Sequence, residues 1–91
     1  MLEYTNEEIS EVQLIPGFNV VQTTKRSLVL SAANQRHQQL SLFLLVDVDE
    51  PIALKKIWVI RKGDQVPNVN LEFINTVFFD GFYNFVFEEV E

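Results

Sequence analysis

Few side chains of this sequence are of the types that carry out chemistry. The chain has 91 residues, no cysteine and one histidine, His37. Without cysteine it cannot form a disulfide, a thiolate zinc site or a cysteine nucleophile, and one histidine excludes a multi-histidine metal site. A catalytic imidazole needs a carboxylate or a nucleophile beside it, whereas the sequence neighbours of His37 are amides and Arg36. We interpret His37 as a loop residue and predict no catalytic residue and no cofactor.

The densest group of carboxylates is formed by Asp47, Asp49 and Glu50. Such a group can bind a hard cation through oxygen ligands. An EF-hand loop beginning at Asp47 would need glycine at its sixth position and glutamate at its twelfth, but Ile52 and Trp58 stand there. We therefore predict a solvated turn after a strand, and no metal site.

The charges of the chain are unevenly distributed. Residues 25–62 hold all seven bases and three acids, a net charge of +4, whereas the rest of the chain holds ten acids and no base. The overall charge of −6 argues against nucleic acid as a partner, although an acidic surface can also imitate nucleic-acid phosphates. The bases support an alternative function, a module that sequesters a small anionic ligand such as a signalling nucleotide. Its candidate residues are Lys55, Lys56, Trp58, Arg61 and Lys62.

The elements that would position these residues are predicted to be strands, because apolar residues recur with a period of two. In residues 40–48 one face carries Leu40, Leu42, Leu44, Val46 and Val48. Residues 54–62, 18–24 and 28–32 also read as strands, and residues 33–39 read as a polar loop. A strand is predicted over residues 9–14, before Pro16-Gly17. A helix over residues 6–12, capped by Thr5 or Asn6, is the competing prediction.

The strongest local signal is Asp80-Gly81, between two apolar segments. This pair favours a two-residue type I′ turn, in which both turn residues have positive φ. The turn would place Phe79 opposite Phe82 and Phe78 opposite Tyr83. Continued alternation gives a face with Ile74, Phe78, Tyr83, Phe85 and Phe87. It gives an opposite face with Phe73, Val77, Phe79, Phe82 and Val86.

Together these patterns predict one mainly β domain over residues 1–91. The expected fold is a small antiparallel β-sandwich or a partly open barrel of six to seven strands with a C-terminal Asp-Gly hairpin. No apolar run approaches the roughly 20 residues of a membrane-spanning helix. The N-terminal residues lack the basic and apolar regions of a signal peptide, so we expect a cytoplasmic protein.

Four short motifs resemble those of a small uncharacterised protein family common in bacteriophage and prophage genomes. They are LVDVDEP at residues 45–51, IRKGDQVP at 60–67, EFINT at 72–76 and FVFE at 85–88. The sequence departs from the family pattern at four positions. Arg61 and Lys62 stand where the family has Gly and Thr, Asn75 replaces a Gly, and Glu88 replaces a His. The resemblance implies a viral or mobile-element origin and a compact β fold, and it implies no reaction.

Both faces of the C-terminal hairpin are rich in large apolar residues, whereas a small sheet usually has one solvated face. Burial of each such side chain contributes roughly 1.5–3 kcal/mol, so exposure of a whole face would be costly. We therefore predict a non-enzymatic interaction protein that binds a host protein, for example to inhibit a defence system, or forms a homo-oligomer. The predicted interface residues are Phe73, Val77, Phe79, Phe82 and Val86.

Overall fold

The computed structural model describes residues 2–36 and 38–91, and it is built from strands. Their bounds are Glu7–Leu14 for β1, Gly17–Thr24 for β2, Leu28–Gln35 for β3, Gln39–Asp47 for β4, Ile52–Arg61 for β5, Leu71–Phe79 for β6 and Phe82–Glu89 for β7. Among the described residues these seven strands are the only regular elements. The prediction of a mainly β chain with six to seven strands is confirmed.

The strands form two antiparallel sheets. One sheet has three strands in the order β1-β4-β3, and the other has four strands in the order β2-β5-β7-β6. The inner faces of the two sheets pack against each other, which is a sandwich arrangement. The predicted antiparallel sandwich is therefore confirmed.

The core lies between the sheets and follows the predicted alternation. The inner face of β4 presents Leu40, Leu42, Leu44 and Val46, all of them buried. The four-stranded sheet supplies the opposite side of the core, with Val21, Ile57, Val59, Val77 and Val86. Side chains that are branched at Cβ dominate this second group, and such side chains suit a pleated surface.

Three predictions about strand boundaries need correction. The competing helix over residues 6–12 is wrong, because β1 pairs with β4 from Glu7 to Leu14. The polar segment after Ala32 is not all loop, since β3 continues to Gln35 in register with β4. Val48 does not share the buried face of β4, because the strand ends at Asp47. His37 lies outside the described residues.

The C-terminal hairpin has the predicted turn but not the predicted faces. Asp80 and Gly81 have φ values of 55° and 79°, and Phe79 pairs with Phe82 and Phe78 with Tyr83. Further along, the register shifts between Phe73 and Asn75. This β-bulge adds one residue to β6 and reverses the alternation beyond it. The predicted faces are therefore wrong at two positions, since Phe73 faces outward with Phe78 and Ile74 packs against the core.

The edge strands β3 and β6 are joined by side-chain amides. Asn75 in β6 donates from Nδ2 to the carbonyl of Ala32 at 2.8 Å, and its Oδ1 accepts from the Ala32 amide at 2.9 Å. Asn34 in β3 donates from Nδ2 to the carbonyl of Phe78 at 3.1 Å. These bonds satisfy edge backbone groups that a neighbouring strand would otherwise bind. These bonds join the two sheets along one side of the sandwich.

Candidate protein-interaction face

The outward-facing side of the four-stranded sheet is the main candidate for a functional surface, and we call it the aromatic face. Residues directly opposite each other in paired strands lie on the same side of a sheet. The pairing of β2 with β5, β5 with β7 and β6 with β7 therefore brings outward-facing residues of all four strands together. The aromatic members of this face are Phe18, Trp58, Phe73, Phe78, Tyr83, Phe85 and Phe87.

Three aromatic pairs join neighbouring strands across this face. The ring centroids are 4.9 Å apart for Phe18 and Trp58, 5.5 Å apart for Phe73 and Phe87, and 5.1 Å apart for Phe78 and Tyr83. Tilted and edge-on pairs at such distances are favourable. Four of these six rings are nevertheless exposed to solvent, and those of Trp58 and Phe87 are half-buried. Phe73 and Phe78 are each 56% exposed, and Tyr83 is 55% exposed.

The aromatic face carries almost no charge. Within its strands the outward positions contain one base, Lys56, and one acid, Glu89. These two form an ion pair with Nζ 3.3 Å from Oε2. The indole Nε1 of Trp58 donates to Oε1 of the same carboxylate at 2.9 Å. The hydrogen bond from Trp58, and then the bond and charge of Lys56, hold the pKa of Glu89 below its ordinary value. The face therefore has no net charge.

The five predicted interface residues do not lie on one surface. Val77 and Val86 are buried in the core, and Phe79 packs against it. Phe82 is 46% exposed, and the guanidinium of Arg61 lies over its ring at 4.3 Å from the centroid. Phe73 is the member that lies on the aromatic face, because the bulge in β6 turns it outward.

The five predicted anion-binding residues are also not brought together. Lys56 and Trp58 face outward on β5, whereas Lys55 and Arg61 face inward. A carboxylate contacts each of these bases other than the exposed Lys62. Lys55 lies 3.0 Å from Glu88, Lys56 lies 3.3 Å from Glu89, and Arg61 lies 3.3 Å from Asp80. The carboxylates of β7 and of the turn that precedes it thus neutralise the bases of β5.

Asp47 is the last residue of β4, and Asp49 and Glu50 lie in the turn that follows, where the sequence predicts one. The backbone amide of Asp49 donates to Oδ1 of Asp47 at 3.0 Å, and Glu50 lies 3.5 Å from the guanidinium of Arg26. Within residues 2–36 and 38–91, no group of three or more acidic or histidine side chains converges to hold a metal ion. In the same residues, no helix is both long and apolar enough to cross a membrane.

The aromatic face is not recognisable as one surface from the sequence. Phe18 and Trp58 belong to separate predicted strands, and the predicted hairpin faces do not include them. Their union depends on the strand order β2-β5-β7-β6, in which β5 lies between β2 and β7. The sequence does show that Phe18 and Val20 lie on the same side of β2. This becomes informative about Trp58 only when the pairing of β2 with β5 is known.

The chain matches a known protein family. Residues 5–91 match the family described as Domain of unknown function (DUF7352). The comparisons with curated proteins and with solved structures found no match. Because the matched region spans β1 to β7, the two-sheet fold and the aromatic face lie within it. The chain belongs to the DUF7352 family, a family of domains of unknown function.

Proposed function

We propose that this protein is a non-enzymatic interaction protein that acts by binding another protein chain through the aromatic face. The chain that covers the face is proposed to be a second copy of the same protein. The observation that carries the proposal is the exposure of Phe73, Phe78 and Tyr83 together on one sheet surface. Contiguous apolar surface of this kind marks interaction sites in soluble proteins.

The size of the aromatic face supports this proposal. Four strands spaced about 4.8 Å apart, with about eight residues each at about 3.3 Å per residue, give a face of roughly 500 Å² in projection. A standard interface takes about 800 Å² of accessible surface from each partner. Accessible surface exceeds the projected area because the rings stand out from the sheet. The face is therefore of the same order of size as one side of a standard interface.

The charge of the face favours a second copy over an unrelated partner. Each copy carries a net charge of −6, so two copies repel each other through most of their surfaces. The aromatic face avoids this repulsion, because Lys56 and Glu89 neutralise each other. A partner recruited by charge would need an unbalanced charged surface, which this face lacks. Homodimer interfaces are more apolar than the interfaces of non-obligate complexes, and the aromatic face has this apolar character.

The other parts of the proposal rest on the sequence. The four motifs support a bacteriophage or mobile-element origin, and an interaction protein of such an origin would act in the host cytoplasm. A host protein, for example a component of a defence system, is the alternative occupant of the aromatic face.

The non-enzymatic character is supported by the position of the carboxylates. Glu88, Glu89 and Asp80 are each bound to a base, and Glu11 accepts a hydrogen bond from Ser41 at 2.7 Å.

The test is the molar mass in solution, measured by size-exclusion chromatography with light scattering. We expect the wild type to contain more than one chain of 10.6 kDa. Phe78→Glu combined with Tyr83→Glu places charges on the aromatic face, and we expect this variant to contain half as many chains as the wild type. Both residues are exposed, but the two new glutamates lie opposite each other in the hairpin and repel each other. Far-ultraviolet circular dichroism therefore checks that the variant keeps its fold.

Val66→Glu is the control for a new charge at an exposed position, because Val66 is 63% exposed and lies in the segment between β5 and β6. We expect it to have the wild-type mass. A wild type that is monomeric at every concentration would overturn the second copy as the occupant. An unchanged mass in the double variant would remove the aromatic face as the contact.

A further inference from the structure

The edge strands of the two sheets differ in how they are protected against pairing with another chain. Exposed edges usually carry charges, proline or a bulge, or are covered. The edges β3 and β6 meet and are joined through Asn75 and Asn34. The edge β1 carries Glu7, Glu8 and Glu11. In the described part of the chain, β2 is the edge strand without any of these devices.

The free backbone groups of β2 can be assigned from one hydrogen bond. The amide of Lys25 donates to the carbonyl of Pro51 at 2.8 Å, just beyond the pairing of β2 with β5. In an antiparallel pair, hydrogen-bonded positions alternate with positions whose N–H and C=O point away. The alternation directs the backbone groups of Phe18, Val20 and Gln22 away from β5, toward the open side of the sheet.

We propose that β2 of one copy pairs antiparallel with β2 of a second copy around a two-fold axis perpendicular to the sheet. The strand has eight residues, GFNVVQTT, and all of them pair with β5 without a register shift. None is charged, so no like charges are placed opposite each other in the pair. The basic residues that follow, Lys25 and Arg26, lie at opposite ends of the paired strands. Symmetric pairs of this kind close on themselves and do not form fibres.

This edge contact goes beyond the proposed function, because it uses backbone groups and leaves the aromatic face uncovered. The two-fold axis keeps both outer faces on the same side, so the two sheets become one sheet of eight strands. If the aromatic faces of two such pairs then meet, the assembly contains four copies with two kinds of contact. Four-chain assemblies with perpendicular two-fold axes are common.

Gln22→Pro tests the edge contact. Proline removes an N–H that points away from β5, and proline is tolerated on edge strands in this position. The preceding residue, Val21, is already in an extended strand, as proline requires. We expect the wild type to contain four chains, Gln22→Pro to contain two, and Phe78→Glu with Tyr83→Glu to contain two. All three changes together should give a monomer, measured by light scattering.

Gln22→Thr is the matched control, because it changes the side chain and keeps the N–H, and we expect four chains. An unchanged mass in Gln22→Pro, or a monomer after the two aromatic-face changes alone, would overturn the edge contact and leave the aromatic face standing. The wild type could instead be a dimer that Gln22→Pro converts to a monomer and that the two aromatic-face changes leave intact. This result would establish the edge contact and overturn the proposed function. A cooperative thermal unfolding transition in each variant is the check that the chain is folded.

Discussion

The side chain of Asn75 binds both backbone groups of Ala32, with Nδ2 2.8 Å from the carbonyl oxygen and Oδ1 2.9 Å from the amide nitrogen. A carboxamide has the same donor and acceptor as a peptide group. Asn75 thus takes the place of a neighbouring strand at one residue of β3. Because Asn75 belongs to β6, the contact joins the edges of the two sheets.

Asn75→Ala should destabilise the fold through this contact. Removing the amide leaves the two backbone groups of Ala32 without their partners, and each unsatisfied group costs about 1–3 kcal/mol when buried. Ala32 is 4% exposed, so we expect the free energy of unfolding in urea to fall by about 2 kcal/mol. Asn68→Ala, at an exposed loop position, is the control and should change it by less than about 0.5 kcal/mol. An equal effect of the two substitutions would contradict this role of Asn75.

The pair of Trp58 and Glu89 should give a titration visible in the fluorescence of the only tryptophan. The pKa of Glu89 is lowered by the bond from Trp58 and by Lys56. A carboxylate with a lowered pKa in the folded state stabilises the fold above its ordinary pKa, and the contribution disappears as the pH falls through the folded-state pKa. We therefore expect the emission of Trp58 to change below a pH of about 4.3, the ordinary value for glutamate.

Glu89→Gln keeps an acceptor for the indole and removes the titration, so the change in emission should be lost in this variant. If the same change persisted with the same midpoint, another group would be responsible. Lys56→Met should move the midpoint toward the ordinary glutamate value, because Lys56 also favours the charged carboxylate.

Substitutions at Val86 and Phe73 should have different effects, although the sequence grouped both in one interface. Val86 is fully buried in the core, whereas Phe73 is more than half exposed on the aromatic face. We expect Val86→Ala to lower the free energy of unfolding by about 1–3 kcal/mol, as the loss of buried methyl groups does. We expect Phe73→Glu to reduce the mass in solution while the chain stays folded. Urea unfolding and light scattering measure the two effects separately.

Nucleotides and other small phosphates should not stabilise the protein. A tight ligand raises the melting temperature by mass action, but Lys55, Lys56 and Arg61 are each engaged by a carboxylate. We expect an unchanged melting temperature in the presence of mono- and dinucleotides. A rise that disappears when Lys55, Lys56, Arg61 and Lys62 are replaced by alanine would instead support the sequestering module.

The sequence predicted those features that depend on local chemistry. Asp80-Gly81 specifies the type I′ turn because both residues accept positive φ. The alternation in residues 40–46 specifies the inner face of β4, because Leu40, Leu42, Leu44 and Val46 recur at every second position and are all buried. In both cases neighbouring residues alone determine the outcome.

The features that the sequence did not predict depend on distant residues. Phe73 and Ile74 are both large and apolar, so alternation cannot show which of the two faces inward. The bulge that decides between them accompanies Asn75, whose partner Ala32 is 43 positions away in the chain. The extension of β3 to Gln35 likewise depends on its pairing with Gln39 and on the bond from Asn34 to Phe78. The polar composition of this segment resembles that of a loop.

The strand order also has a consequence for how the chain folds. Among the pairings of the described residues, only β3 with β4 and β6 with β7 join consecutive strands. The partner of β1 is β4 and the partner of β2 is β5, and both partners come much later in the chain. During synthesis the first two strands therefore leave the ribosome before their partners exist. Topologies dominated by distant pairings refold in about milliseconds to seconds. The uncharged strand β2 is thus available to other nascent chains for longer than any hairpin strand, and early encounters between copies would begin there.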